Sequence, residues 1–502
     1  MSKKVETISQ AVFWGFWLRV TKWVATLLAS VLIVRMLGKE QYGLLSVVRV
    51  FVSYVMILYT LNLDQALLRY LPELRTLGAK GETIRFLGKI FCFQVLLWLL
   101  FLGLILFFLE PISHFLGKGV QTYLWVALAL SLFSFLQLDL SNALMTFYKV
   151  KTQVIGGAAA ALVFLALLYG LLQSGWRIWG VLFSEALVAL GVSLWFLKTF
   201  FRLSHGADGE SKKKSPIPLS RVLKFSIPFV CLTLVNQIIW RQSELFFLAY
   251  YETPGVVGLY NVGFSLPQLL LEFAPSFLGA VGAVGAVDQF MRGIDHLSKG
   301  ITWYYKILFF LLAPLVTGGA LFSDRLIYFL YGPEFALSGL IAQIYFALFV
   351  FVFLLTPYGL ANIAEERIWI SVALSVPVCI LNLILDFVWI KRFGIWGAVG
   401  AVGVSNLVAF FVTFFMWKKV FPYVVIPWRF IGKCFLATVP FFIFFPMKAL
   451  SDHLLWFVFL CLSMAGLYLW AVRRIKLFGP EEIELLGQSR IPGSEKMLKF
   501  LR

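Results

Sequence analysis

Apolar residues run in blocks of about 20, separated by short polar stretches, along most of the chain. A helix of 20 residues at about 1.5 Å rise covers the roughly 30 Å hydrocarbon core of a bilayer. The blocks are continuously apolar rather than alternating. The pattern therefore predicts spanning helices, which satisfy their own backbone hydrogen bonds in lipid, and not the strands of a membrane barrel. Fourteen such helices are read near 11–34, 43–67, 87–109, 122–147, 153–173, 178–200, 223–249, 258–286, 301–321, 336–360, 369–389, 395–417, 431–447 and 453–472.

The polar breaks carry an orientation signal. With the N-terminus placed inside, the inside segments and the span ends beside them hold 31 Lys and Arg, and the outside loops hold 8. That bias predicts cytoplasmic N- and C-termini and an even number of spans. The outside loops are short, which disfavours an enzyme working on the outer face.

The pattern repeats. A basic loop from His205 to Arg221, with Lys212, Lys213 and Lys214, follows the sixth helix. The first turn of the first half reads Leu37-Gly38-Lys39-Glu40-Gln41-Tyr42-Gly43-Leu44-Leu45. That of the second reads Glu252-Thr253-Pro254-Gly255-Val256-Val257-Gly258-Leu259-Tyr260. Gly43 and Gly258 are each followed by Leu and a new apolar block. Six helices per half give both halves one orientation, so a pseudo-two-fold axis along the membrane normal is expected, with substrate bound between halves that rock. The divisions expected are 1–201 and 223–417 as six-helix bundles, 202–222 as a cytoplasmic linker, 418–472 as helices 13 and 14, and 473–502 as a cytoplasmic tail. The first six spans contain no proline. Later spans contain Pro228, Pro267, Pro275, Pro314, Pro357, Pro377, Pro440 and Pro446, which points to bent helices and hinges there. The run Gly279–Gly285 reads as a close-packing surface.

Composition agrees with an all-α integral membrane protein. Of 502 residues, 61% are hydrophobic and 14% charged, against about 45–50% and about 25% in soluble domains. The net charge of +18 sits mainly in alternate loops, which argues for membrane topology and against a nucleic-acid partner. The five cysteines, Cys92, Cys231, Cys379, Cys434 and Cys461, show neither metal-ligand spacing nor a disulfide framework. No segment matches the phosphate-binding loop ending in Gly-Lys-Ser/Thr, a zinc-protease histidine pair or a dinucleotide turn. No cofactor is expected, and the chemistry predicted is transport.

Ionisable groups inside spans are costly and are therefore functional candidates. Arg19 and Lys22 share a face of helix 1, Arg49 lies in helix 2, and Arg241 lies in helix 7 with Glu244 three residues on. These four cations suit an anionic substrate, and a pyrophosphate would engage two or more of them. The acidic set is Asp64, Asp139, Glu185, Glu244, Glu272 and Asp386. Asp139, Glu244 and Glu272 are the candidates for a coupling proton or sodium ion. Asp64 and Asp386 fall near helix ends, where a solvated or capping role is expected.

Three segments carry a family resemblance. Arg35-Met36-Leu37-Gly38-Lys39-Glu40-Gln41-Tyr42-Gly43-Leu44, Ala66-Leu67-Leu68-Arg69-Tyr70-Leu71-Pro72-Glu73 and Gly479-Pro480-Glu481-Glu482-Ile483-Glu484-Leu485-Leu486 resemble those of the polysaccharide-biosynthesis (Wzx-type) flippases. These belong to the multidrug/oligosaccharidyl-lipid/polysaccharide (MOP) exporter superfamily. The resemblance implies an inner-membrane flippase of MATE-like fold. It would carry a polyprenyl-pyrophosphate-linked oligosaccharide from the inner to the outer leaflet by alternating access, driven by an ion gradient or the membrane potential. Partners left open are the proton or sodium ion, membrane lipids and polysaccharide assembly enzymes. An ion-coupled multidrug exporter of the same superfamily is the rival reading, and the four cations count against it.

Overall fold

A computed structural model describes the backbone of residues 2–479 except 77–79, 118, 147–149, 206–216, 241–242, 366 and 451–452, and most side chains from 20 onward. The described residues are helical with short connections and contain no strand. In chain order the helices are α1 (Ser2–Thr60), α2 (Leu63–Thr76), α3 (Lys80–Phe107), α4 (Leu109–Leu116), α5 (Gln121–Thr146), α6 (Val150–Gln173), α7 (Arg177–His205), α8 (Leu219–Trp240), α9 (Glu244–Tyr251) and α10 (Pro254–Arg292). They continue with α11 (Ile294–Tyr331), α12 (Ala336–Ala364), α13 (Ile368–Leu385), a π-helical turn (Asp386–Ile390), α14 (Lys391–Phe393), α15 (Ile395–Val420), α16 (Trp428–Leu436) and α17 (Leu454–Arg474).

Twelve described helical segments are long and apolar enough to cross a membrane. One of them, Val20–Thr60, contains a break at Gly38, whose φ of 70° and ψ of 174° lie outside the helical region. Glycine takes that left-handed φ without a Cβ clash, so the two helices read from the sequence meet at this residue. The expected thirteenth helix, 431–447, is not one continuous α-helix. It is α16 followed by 3-10 segments Val439–Phe444 and Pro446–Leu450. Pro440 and Pro446 explain the break, because each lacks the N–H that would continue the ladder. By contrast Pro228, Pro314, Pro357 and Pro377 lie inside α8, α11, α12 and α13.

Contacts divide the chain into two compact units, residues 1–261 with 368–405, and residues 262–367 with 406–502. The first unit has a core where α2, α3, α5 and α7 meet, with Leu67, Leu71, Ile90, Leu144 and Phe200 buried. The turn between α1 and α2 is fixed by Leu61 and Asn62, both at positive φ. Asn62 there donates from Nδ2 to the Phe229 carbonyl at 3.1 Å and to the Thr233 hydroxyl on α8. In the second unit Phe310 and Ala313 of α11 pack with Phe430 and Cys434 of α16 and Phe457 and Tyr468 of α17. Tyr305 and Tyr468, both buried, donate their hydroxyls to the carbonyls of Leu354 and Phe310, each at 2.8 Å. Buried hydroxyls paired in this way avoid the desolvation cost of an orphaned donor.

Candidate functional site

The most concentrated buried polarity lies in the first unit, where the start of α9 meets the end of α13. Ser243 and Glu244 come from one side, Asn382 and Asp386 from the other. All four are 2% exposed or less. The Asn382 amide Nδ2 donates to Asp386 Oδ2 at 2.8 Å, to Ser243 Oγ at 3.1 Å and to Glu244 Oε1 at 3.5 Å. Ser243 donates its hydroxyl to Asp386 Oδ2 at 2.8 Å. The Tyr260 hydroxyl also engages Glu244. Tyr54, whose ring centre is 5.3 Å from that of Phe246, lies near both carboxylates.

These bonds leave oxygens over. Glu244 Oε2, Asp386 Oδ1, Asn382 Oδ1 and the Tyr54 hydroxyl have no hydrogen-bond partner among the described residues. An unsatisfied buried polar group costs on the order of 2–7 kcal/mol, and a buried unpaired carboxylate costs more. Two adjacent carboxylates with spare lone pairs can chemically accept positive charge, as a proton shared between them or as a hard cation with oxygen ligands. Asp386 opens a π-helical turn. Such turns add one residue per turn, redirect side chains and concentrate at functional positions. A capping or solvated role for Asp386, expected from its position near a helix end, is corrected here: it is 0% exposed.

A second buried polar cluster lies in the same unit. Asp139 on α5 is 2% exposed and sits with the Gln94 side chain of α3. Asp139 Oδ2 and Gln94 Oε1 lack partners among the described residues. Gln94 donates to the Thr60 carbonyl at 3.2 Å, and Tyr59 donates to Ser131 at 2.8 Å. Asp64, in the first turn of α2, accepts from Gln65 at 2.9 Å and from Asn142 at 3.3 Å, in keeping with a role at a helix start.

The candidate cations are placed differently. Arg49 of α1 donates from Nη2 to Glu185 Oε1 of α7 in an ion pair whose partners are each a little over one-third exposed. That partner is 136 residues away, and the chain alone gave no sign of it. Lys22 lies on an exposed face of α1. Arg19 lies in α1, but its side chain falls outside the described residues, as does all of Arg241. So do the side chains of Pro275 and the 279–285 run, the three lysines 212–214 and the tail from 480. Glu272 is exposed on α10 and accepts from Gln268 at 2.9 Å. Of the three acidic candidates, Glu244 and Asp139 are thus buried and Glu272 is not.

Twelve described helical segments of membrane-spanning length define a polytopic membrane protein, and the comparisons place it. A family profile described as "Polysaccharide biosynthesis protein" matches residues 8–282, and the chain belongs to that family. A search of curated proteins finds no match. Among solved structures, the lipid II flippase MurJ in an inward-closed conformation superposes with a TM-score of 0.66 at 16% identity, covering 93% of this chain and 98% of that one. A MOP superfamily transporter from Pyrococcus furiosus gives 0.61 at 15% identity, covering 83% and 96%. An inward-facing multidrug resistance MATE family transporter gives 0.59 at 15% identity, covering 80% and 94%. The fold is that of the MOP superfamily.

Proposed function

We propose that this chain is a flippase that moves a polyprenyl-pyrophosphate-linked oligosaccharide from the cytoplasmic to the outer leaflet by alternating access, for cell-surface polysaccharide biosynthesis. It works in the cytoplasmic membrane with both termini inside, as the Lys and Arg asymmetry directs. Membership of the polysaccharide biosynthesis family carries this reading. The halves that rock are the six-helix bundles 1–201 and 223–417. Arg19, Lys22, Arg49 and Arg241 hold the pyrophosphate or acidic sugars. No covalent step on the substrate is required.

Coupling runs through the buried carboxylates. The Glu244–Asp386 pair takes up a proton or sodium ion, with Asn382 and Tyr54 supplying neutral oxygens. The orphaned oxygens there support this role, and the exposure of Glu272 ranks it below Glu244 and Asp139. A charged pair that must be neutralised before it is enclosed links ion occupancy to conformation, because the ion binds the two states unequally.

The test is a deletion strain whose polyprenyl-linked glycans are quantified by mass spectrometry, complemented with wild type, Arg19→Ala or Arg241→Ala. A lipid-linked oligosaccharide that accumulates on deletion, is cleared by wild type and is not cleared by a membrane-inserted arginine variant supports the proposal. Sensitivity to cationic drugs without such a lipid, in a strain free of a second flippase, would replace it with the multidrug-exporter reading.

A further inference from the structure

In the second unit a pocket of about 560 Å³ opens where α11, residues 426–427 and α16 meet. Lys306, Arg429 and Lys433 line it, and among the described residues none that lines it is acidic. Arg429 and Lys433 stand four residues apart on the exposed face of α16, while Phe430, Ile431 and Cys434 are buried on the other. Like charges at that spacing on a helix repel. Arg473, Arg474 and Lys476 add further positive charge immediately before the lining residue Leu477.

The sequence of α11 fixes the depth of this pocket. Between Lys306 and Asp324 the helix carries 17 uncharged residues, which span about 26 Å and nearly match the hydrocarbon core. Lys306 therefore stands at one membrane–water boundary. Its Nζ lies 5.8 Å from the ring centre of Trp303 and 5.7 Å from that of Phe430. Trp428, exposed, forms another wall. Tryptophan concentrates at headgroup level because its ring is apolar and its N–H is not. Val425 and Leu436, 59% and 57% exposed, offer apolar surface beside the cations.

We infer that this pocket holds the phosphate of an anionic phospholipid headgroup, with the acyl chains lying along the adjacent apolar surface. Basic pockets between helices at the membrane boundary select anionic headgroups by charge. Three clustered cations, aromatic walls and the depth at headgroup level all fit that occupant. The inference needs only that the chain crosses a bilayer and does not rest on the flippase reading.

Native mass spectrometry of the full chain, with phosphatidylglycerol and phosphatidylcholine supplied equally, tests it. Wild type retains phosphatidylglycerol in preference. Arg429→Gln with Lys433→Gln weakens that retention about 25-fold, at roughly fivefold for each basic group. Arg429→Lys with Lys433→Arg preserves it. Lys198→Gln with Arg202→Gln removes two exposed cations at the same spacing on α7, which contributes no lining residue, and also preserves it. An equal loss in the α7 variant would overturn the inference in favour of diffuse surface charge. Complete displacement of the lipid by equimolar inorganic phosphate would overturn it in favour of a free anion site.

Discussion

Gly43 and Gly258 meet backbone to backbone. A Cβ on Gly43 would stand 3.0 Å from the Gly258 nitrogen and inside the envelope of the Pro254 carbonyl, and one on Gly258 would strike the Lys39 carbonyl. The two turns that look alike in sequence therefore pack on each other, and each glycine is there because the other chain segment leaves no room for a side chain. Gly43→Ala and Gly258→Ala should each lower stability by about 1–3 kcal/mol through overpacking. Gly170→Ala, where nothing lies within 4 Å of the added carbon, should be neutral or stabilising. Thermal melting of the purified variants checks the contrast.

Beside that crossing, buried Asn261 donates from Nδ2 to the Tyr42 hydroxyl at 3.1 Å and to the Ser46 hydroxyl. Asn261→Leu would remove both bonds and leave two buried oxygens short of a donor. A loss of about 1–3 kcal/mol is expected, read as a fall in melting temperature larger than that of Asn261→Gln.

The Glu244–Asp386 pair predicts ion-linked stability. A ligand that binds only the folded state stabilises it by about 2.7 kcal/mol at a hundredfold excess over its Kd. Wild type should therefore melt at a higher temperature in sodium than in choline, or at lower pH if the ion is a proton. Asp386→Asn and Glu244→Gln should each abolish the increment while remaining folded. Persistence of the full increment in Asp386→Asn would remove the pair from the coupling scheme.

Arg49 and Glu185 form a partly exposed pair, so its net worth is small, about 0–1 kcal/mol. Arg49→Ala and Glu185→Ala should each shift melting only slightly. If Arg49 also contacts substrate, Arg49→Ala loses transport while Glu185→Ala retains it. A transport assay on two variants of equal stability separates the roles.

The spans were legible because bilayer thickness imposes one length on every apolar block. The turn at Gly38 was visible as a local motif, whereas the likeness of the turns at Gly43 and Gly258 read as a repeat and not as the contact between them. Pro440 and Pro446 read, like the other prolines, as bends in a spanning helix, and the break of 431–447 into α16 and 3-10 segments was not foreseen. Asp386 was misread because proximity to a helix end suggests solvent, whereas a π-helical turn and Asn382 hold it inside. Its burial depends on Ser243 and Glu244 at the start of α9, some 140 residues earlier, and no local pattern reports such a meeting. The same limit hid the Arg49–Glu185 pair. Spacing on one helix shows which charges share a face, but not which helix that face meets.

The most direct test of the flippase reading is reconstitution of the purified chain in vesicles carrying a polyprenyl-pyrophosphate-linked oligosaccharide, with the glycan exposed on each leaflet measured by an impermeant lectin. The account predicts that glycan moves across the bilayer in vesicles containing wild type, faster with an imposed ion gradient, and that Glu244→Gln with Asp386→Asn removes the acceleration. A glycan distribution identical to that of protein-free vesicles, with correctly inserted and folded protein, would contradict it.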